Sequence, residues 1–366
     1  MLTTEAFGGY GGIALYNRDL LTALSNHPDC SEIVAIPRLM RNSPEPLPPR
    51  ITYITAGLNG KLSYIYSVWK AVHNNPRFEL IICGHINLLP VAHLLRRKIR
   101  APLVLMVYGI EAWKPTKKPW INHIVKKVDA FVSISEFTKK HFLAWSKLSS
   151  DNGFLLPNAI HVSQYGAGHK SKQLIDRYRL SGKIVLMTLA RLDDSEQYKG
   201  IDEILEVLPN LIQEIPDITY LVVGDGTDRQ RLQEKAEALG VDRHVVFTGR
   251  ILDSEKADHY RVADVFAMPG RGEGFGFVFL EAMACGIPVI ASKVDGSREA
   301  VRDGRLGIMV DPSNPAEIKL AIQNALMQPK QVVPEGLEYF SFKNFEQRSC
   351  DIFRKILLLG QEKLAH

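Results

Sequence analysis

The chain has no apolar run long enough to cross a bilayer. Its longest, such as LVLMV (103–107) and ELIIC (79–83), are strand-length, far short of the roughly 20 residues a spanning helix needs. No basic stretch followed by an apolar one opens it, so no secretory signal is expected. Cysteine is scarce. Cys30, Cys83, Cys285 and Cys350 stand alone with no CxxC spacing, which argues against a disulfide framework and against zinc held by close ligand pairs. Reduced, packing cysteines and a cytoplasmic location are the expectation. With 46% apolar and 23% charged residues over 366 positions, disordered, collagen-like and coiled-coil classes are excluded, and about two domains are implied.

What is present is unevenly spread. Residues 1–165 carry 19 Lys and Arg against 10 Asp and Glu, a net of +9, whereas the remainder is net −4. Twelve of those cations fall between Arg96 and Lys147, opposed only by Glu111, Asp129 and Glu136. The two halves are therefore expected to face different partners. Arg96, Arg97, Lys98, Lys117 and Lys118, with Trp113 and Trp120 nearby, suit either a solvated basic face or the inner, anionic face of a membrane. Nucleic acid is not favoured, because the interleaved aromatic platform of such proteins is missing.

Strand-length apolar runs alternate with helical periodicity throughout. In the second half KIVLMTLA, ITYLVVG, HVVFTG, VFAMPG and IPVIAS read as buried parallel strands. Between the first two, Ile201, Ile204, Leu205, Leu208 and Leu211 recur at helical spacing, and Gly286 closes a helix that ends in EAMAC. The first half repeats the pattern less regularly, with a helix in IALYNRDLLTAL and strands in EIVAIP, ITYIT, ELIICG, APLVLMVYG and DAFVSIS. Its first strand has only Met1–Phe7 available and should be short. The fold class is α/β, with two Rossmann-like halves joined near the Gly- and Asn-containing segment LPNAIHVSQYGAG. Residues 1–163, 164–341 and a final amphipathic helical segment, 342–366, are the expected divisions.

The densest signal is RGEGFGFVFLEAMACGIPVIAS, residues 271–292. Glycines at 274 and 276 flank Phe275 ahead of a helix starting near Phe277, so backbone N–H groups and the positive end of a helix dipole can meet an anion. Glu273 and Glu281 straddle that cradle. Carboxylates repel a diphosphate but grip neutral hydroxyls strongly, which suits a ribose at one end and a sugar at the other. Arg191 follows a strand, and Lys199-Gly200 opens the next helix; together they can neutralise a leaving diphosphate. GGYGG (8–12) precedes a helix and lets the backbone approach a ligand, although its spacing is not that of a dinucleotide fingerprint. VVGDG (222–226) and FTGRI (247–251) follow further strands, and Asp225 reads equally well as an ordinary turn residue.

EGFGFVFLEAMACGIPVIAS resembles the E-x7-E signature of retaining, family-4-type glycosyltransferases of the GT-B fold, and the resemblance extends over essentially the whole chain. It implies two Rossmann-like domains facing across a cleft, the first for the acceptor and the second for a nucleotide-sugar, with the C-terminal helix packing back on the first. By this likeness Glu281 holds the ribose and Glu273 the donor sugar. The amides of Phe275, Gly276 and Phe277 bind the diphosphate or sugar, and Arg191 and Lys199 serve catalysis. Gly9, Gly11, Gly12 and Gly224 approach the donor, and the backbone of Arg250 and Ile251 reads the base. The Arg191–Lys199 loop, DDSEQY, is longer than the commonest form. Where many relatives have His-Gly this chain has Tyr108-Gly109, so the acceptor-side role falls to the Tyr108 hydroxyl, to His85 or to Glu111. Ser135 and Glu136 are placed to line the cleft, and Asn158 matches a turn residue.

No enzymic nucleophile stands out, which favours front-face substitution with retention of configuration. No bridging carboxylate pair for a metal is evident, Asp193-Asp194 reading as solvated acid, so neither a metal nor a cofactor beyond the nucleotide-sugar is expected. The resemblance implies hexosyl transfer, UDP-glucose first and GDP-mannose as the alternative, onto a saccharide or polyprenyl-diphosphate-linked saccharide in exopolysaccharide assembly. A nucleotide-sugar epimerase or a phosphorylase on the same architecture is less favoured.

Overall fold

The computed structural model describes residues 1–74 and 77–365, which divide into two compact units, Met1–Ala159 with Phe342–His366, and Ile160–Ser341. The join lies four residues before the expected 163/164. The first unit runs β1 (Leu2–Thr3), α1 (Gly12–Asn26), β2 (Ile33–Pro37), β3 (Ile51–Tyr53), α2 (Lys61–Asn74), β4 (Ile81–Cys83), α3 (Leu89–Ile99), β5 (Leu103–Val107), α4 (Pro119–Val125), β6 (Ala130–Ser133), α5 (Glu136–Ser146) and β7 (Gly153–Leu155). Its seven parallel strands are ordered β3-β2-β1-β4-β5-β6-β7. β1 is only two residues long yet central, Leu2 pairing with both Ile36 and Cys83. β5 is buried along its whole length, as a strand covered by helices on both faces must be.

The second unit runs α6 (Lys172–Tyr178), β8 (Ile184–Leu189), α7 (Ile201–Glu214), β9 (Ile218–Val223), α8 (Arg229–Ala238), β10 (Val245–Gly249), α9 (Lys256–Val262), β11 (Val265–Ala267), α10 (Phe277–Ala284), β12 (Val289–Ser292), α11 (Ser297–Ala300), β13 (Ile308–Val310) and α12 (Pro315–Leu326). The strand order β10-β9-β8-β11-β12-β13 reverses direction beside β8, and in open α/β sheets such switch points are where ligands gather at strand C-terminal ends. The apolar face of α7, including Ile204, Leu208 and Leu211, packs into a core with Tyr220 and Ile318. A last helix, α13 (Phe342–Ala365), returns to the first unit. It packs on α1, where Phe345 meets Tyr16 edge-on at 5.5 Å. Among the described residues no helix is long and apolar enough to cross a membrane.

Candidate active site

In the second unit the loop after β11 is laced to two neighbouring turns. Arg271 N donates to Tyr198 O at 2.8 Å, Glu273 N donates to Asp295 Oδ2 at 2.9 Å, and Gly296 N donates to Glu273 O at 2.8 Å. These bonds fix the Glu273 backbone from both sides and place its side chain against Lys199. Lys199 Nζ donates to Glu273 Oε2 at 2.8 Å, with both side chains about four-fifths buried. Burial works against the Lys199 charge, but the Glu273 carboxylate more than offsets it and holds the ammonium above the ordinary lysine range. Asp295 lies beneath the pair. Burial pushes its carboxyl up to about 6, against hydrogen bonds from Ser297 and from Glu273 N.

Gly276 caps α10 with φ 93°, a conformation that glycine adopts without a Cβ clash. Phe275 is fully buried against Phe340, so only its backbone is available to a ligand. Phe277 begins the helix and is half-buried. Glu281 lies in the second turn of α10 and is buried. Its carboxylate already has partners: Lys256 Nζ donates to Oε1 at 3.0 Å and Tyr260 OH to Oε2 at 2.7 Å, and the Tyr165 hydroxyl also bonds it. Three donors on about four acceptor sites leave the carboxylate one lone pair unused. Arg191, largely exposed after β8, is paired with Glu196 of the long loop that the sequence singled out. Gly224 follows β9 with φ 139°, and a Cβ there would stand 1.9 Å from Ala190 O. Arg250 and Ile251 follow β10, exposed and half-buried respectively.

In the first unit the glycine loop is already braced. Gly8 N and Tyr10 N donate to the carboxylates of Glu45 and Glu5, and Gly9 N donates to Ala6 O. Gly11 caps α1 and Gly12 begins it, both exposed. Tyr108 is buried and its hydroxyl donates to Asn17 Oδ1 at 2.6 Å. That side chain therefore serves the interior of the unit. Glu111 Oε1 accepts from Tyr108 N and Gly109 N, and burial raises its carboxyl against those bonds. His85 caps the turn after β4 by accepting from Asn87 N, and burial lowers its basicity. Ser135 caps α5, accepting from Thr138 N at 3.0 Å, and Asn158 is buried.

Lys199 and Glu273 are thus brought into direct contact, while Glu281 and Arg191 each meet other partners. Sequence reasoning missed Asp295, Lys256, Tyr260 and Tyr198. None carries a motif spacing: Lys256 and Tyr260 sit in DSEKADHYR, where charges read as a solvated helix face. Only the tertiary packing of α9 on α10 reveals them.

Two Rossmann-like units, the second with a glycine-capped helix and a paired lysine and glutamate at its switch-point edge, form the GT-B fold of nucleotide-sugar transferases. Solved structures agree on that fold. Anabaena Alr3699/HepE in complex with UDP matches with a TM-score of 0.74 over 97% of this chain and 99% of that one, at 18% identity. Sucrose-phosphate synthase from Thermosynechococcus elongatus matches with a TM-score of 0.71 over 100% and 97%, at 20% identity. Residues 10–164 match the model for Glycosyltransferase Family 4, and residues 172–334 that for Glycosyl transferases group 1. A GDP-mannose-dependent alpha-(1-6)-phosphatidylinositol monomannoside mannosyltransferase of Mycolicibacterium smegmatis is 32% identical over 283 residues, 74% of this chain and 73% of that protein. A phosphatidyl-myo-inositol mannosyltransferase of Mycobacterium tuberculosis is 34% identical over 54% of this chain and 48% of its own length. The chain belongs to the family-4-type glycosyltransferases: it is an enzyme that transfers sugar.

Proposed function

We propose that this glycosyltransferase moves mannose from GDP-mannose to a lipid-borne acceptor, with retention of configuration and without a metal. The observation that carries the donor is the 32% identity to a GDP-mannose-dependent mannosyltransferase, extending over nearly three-quarters of both proteins. UDP-glucose, the first expectation from the family resemblance, draws support only from neighbours below 25% identity, which speak to fold alone.

In this reading the C1–phosphate bond breaks as the acceptor oxygen bonds C1 on the same face, and the acceptor proton passes to the departing diphosphate. Lys199 and Arg191 neutralise the charge growing on that diphosphate, aided by the N-terminus of α10. Glu273 both keeps Lys199 charged and accepts from sugar hydroxyls. Glu281 accepts from the ribose with its one remaining lone pair, held in place by Tyr260, Tyr165 and Lys256. Gly224 and the backbone of Arg250 and Ile251 complete the second unit's donor contacts. His85 and Glu111 remain the acceptor-side candidates, since the Tyr108 hydroxyl is bonded inward.

A thermal-shift panel tests the donor, because a ligand that binds the folded state raises its melting temperature by mass action. GDP and GDP-mannose are expected to raise it and UDP-glucose not to; the reverse pattern overturns the donor reading. Transfer that stops in EDTA and returns with Mn²⁺ or Mg²⁺ refutes metal independence.

A further inference from the structure

We propose that the outer face of α2 and α3 is a docking surface for an anionic lipid bilayer. A helix on the surface of a soluble unit normally buries one apolar stripe and shows water a polar face. α2 departs from this. Its inner side buries Tyr64, Val68 and Val72 in the core. Its outer side is also apolar: Leu62, Ile65, Tyr66 and Trp69 are 84%, 47%, 62% and 50% exposed, at helical spacing. The rings of Tyr66, Trp69 and His73 form a stacked row along the helix, with centroids 6.3 and 5.0 Å apart. Beside it on α3, Leu94 is 63% exposed. Such an aromatic and aliphatic stripe is the composition of interfacial helices.

The charge around the stripe selects the partner. From Pro46 to Ile110 the only acidic residue is Glu79, while Lys61, Lys70, Arg97, Lys98 and Arg100 are exposed on or next to the two helices. Lys98 Nζ lies 5.4 Å from the centre of the Trp69 ring, so cation and aromatic row share one surface. The end of α3 borders a cavity of about 330 Å³ whose lining includes Arg97, Arg100 and Arg96, the last paired with Asp129 at 2.7 Å. His93 there is held below its usual basicity by burial and by the surrounding Lys127, Arg97, Arg96 and His123. Apolar side chains ringed by exposed Lys61, Lys70, Arg97, Lys98 and Arg100 match an interface of acyl chains beneath anionic headgroups. Of the face expected from Arg96, Arg97, Lys98, Lys117 and Lys118 with Trp113 and Trp120, the docking surface keeps Arg97 and Lys98 and leaves out Trp113. That side chain is half-buried, donates to Thr138 Oγ1 and packs against Phe137 and His141. Exposed Trp120, Lys117 and Lys118 sit at the start of α4, which packs beside α3. The purpose of docking rests on the lipid-borne acceptor proposed above; the binding itself does not.

Flotation of the intact protein with phosphatidylcholine vesicles, with and without phosphatidylglycerol, tests the proposal. The protein is expected to float with the anionic vesicles only, and less as salt rises. Changing Lys61, Lys70 and Lys98 together to Glu should lower partitioning on the order of 100-fold, since each cation near the surface contributes roughly fivefold. A Leu62→Ser, Trp69→Ser double variant should lose at least about tenfold. Both variants must keep the nucleotide-induced thermal shift of the parent, which separates lost docking from lost folding. Quenching of the unaltered protein's tryptophan fluorescence by bromine-labelled acyl chains checks insertion without any substitution. Failure to float with either vesicle, absence of quenching, or variants that float like the parent overturns the proposal. So does a dimer in light scattering that the same substitutions dissolve, because the face then closes two copies. None of these results alters the donor panel, and a failed donor panel leaves flotation untouched.

Discussion

The two units of this glycosyltransferase treat their polar side chains differently. In the second, groups of opposite charge from separate elements converge: Lys199 on Glu273, Lys256 on Glu281, Asp295 beneath the loop that joins them. In the first, the candidate side chains bond within their own fold, as Tyr108 to Asn17 and Glu111 to the amides beside it, while the unusual feature lies outward on α2. Buried charge is costly unless paired and hydrogen-bonded. Two buried carboxylates held ready beside cations are therefore a stronger mark of chemistry than a bonded tyrosine. On the proposed reading, donor chemistry falls to the second unit and surface recognition to the first.

The sharpest way to break that contrast is at Lys199, Glu273 and Glu281. Lys199→Ala and Glu281→Gln should each lower kcat/KM on the order of 100-fold, the range for a positioned electrostatic group. Glu273→Gln should fall in the same range, with the fold intact by circular dichroism. Near-parental transfer by all three would remove the second unit's claim to the site.

Asp295→Asn probes the support rather than the contacts. Its folded carboxyl is raised from 3.8 to about 6, so folding favours the protonated form. The stability it contributes is complete below 3.8 and is lost as pH rises through about 6. The melting-temperature gap between parent and variant should therefore narrow from pH 4 to pH 7, and kcat/KM should fall roughly tenfold as Glu273 loses its anchor. A gap independent of pH would show that Asp295 does not titrate there.

The unequal legibility of the two halves has a physical cause. Glu273, the Gly276 cap and Glu281 lie within nine consecutive residues, and a loop-to-helix transition exposes its chemistry to linear reading. The alternating strands were equally readable, because buried parallel strands are continuous apolar runs. Lys256 and Tyr260 escaped, since they reach Glu281 from another helix. The outer stripe of α2 escaped for a different reason: with apolar residues on both sides, KLSYIYSVWKAVHN shows no one-sided helical periodicity to read. The Tyr108 hydroxyl was open in sequence to a substrate or an internal partner, and only the position of Asn17 on α1 distinguishes them.

Tyr108→Phe tests that last point. Its hydroxyl is buried, and removal leaves Asn17 Oδ1 without this donor, costing about 1–3 kcal/mol of stability by chemical denaturation. Turnover should change less than about threefold when measured well below the melting temperature. A large fall in kcat at unchanged stability would return Tyr108 to the acceptor site and blur the distinction between the units.

The smallest expected effect lies at Glu196. It pairs with Arg191, whose guanidinium is held more strongly protonated by that hydrogen bond. A diphosphate recruiting Arg191 must displace Glu196, and because Arg191 is largely exposed the pair is worth little in water. Glu196→Gln keeps the shape of the long loop but removes the competing charge. The KM for the nucleotide-sugar should drop about two- to threefold with kcat unchanged, the pattern for a change in ground-state binding alone. The effect should shrink at high salt as screening weakens both contacts. A rise in KM instead would mean that Glu196 positions Arg191 for the donor rather than competing with it, making the long loop part of the second unit's prepared site.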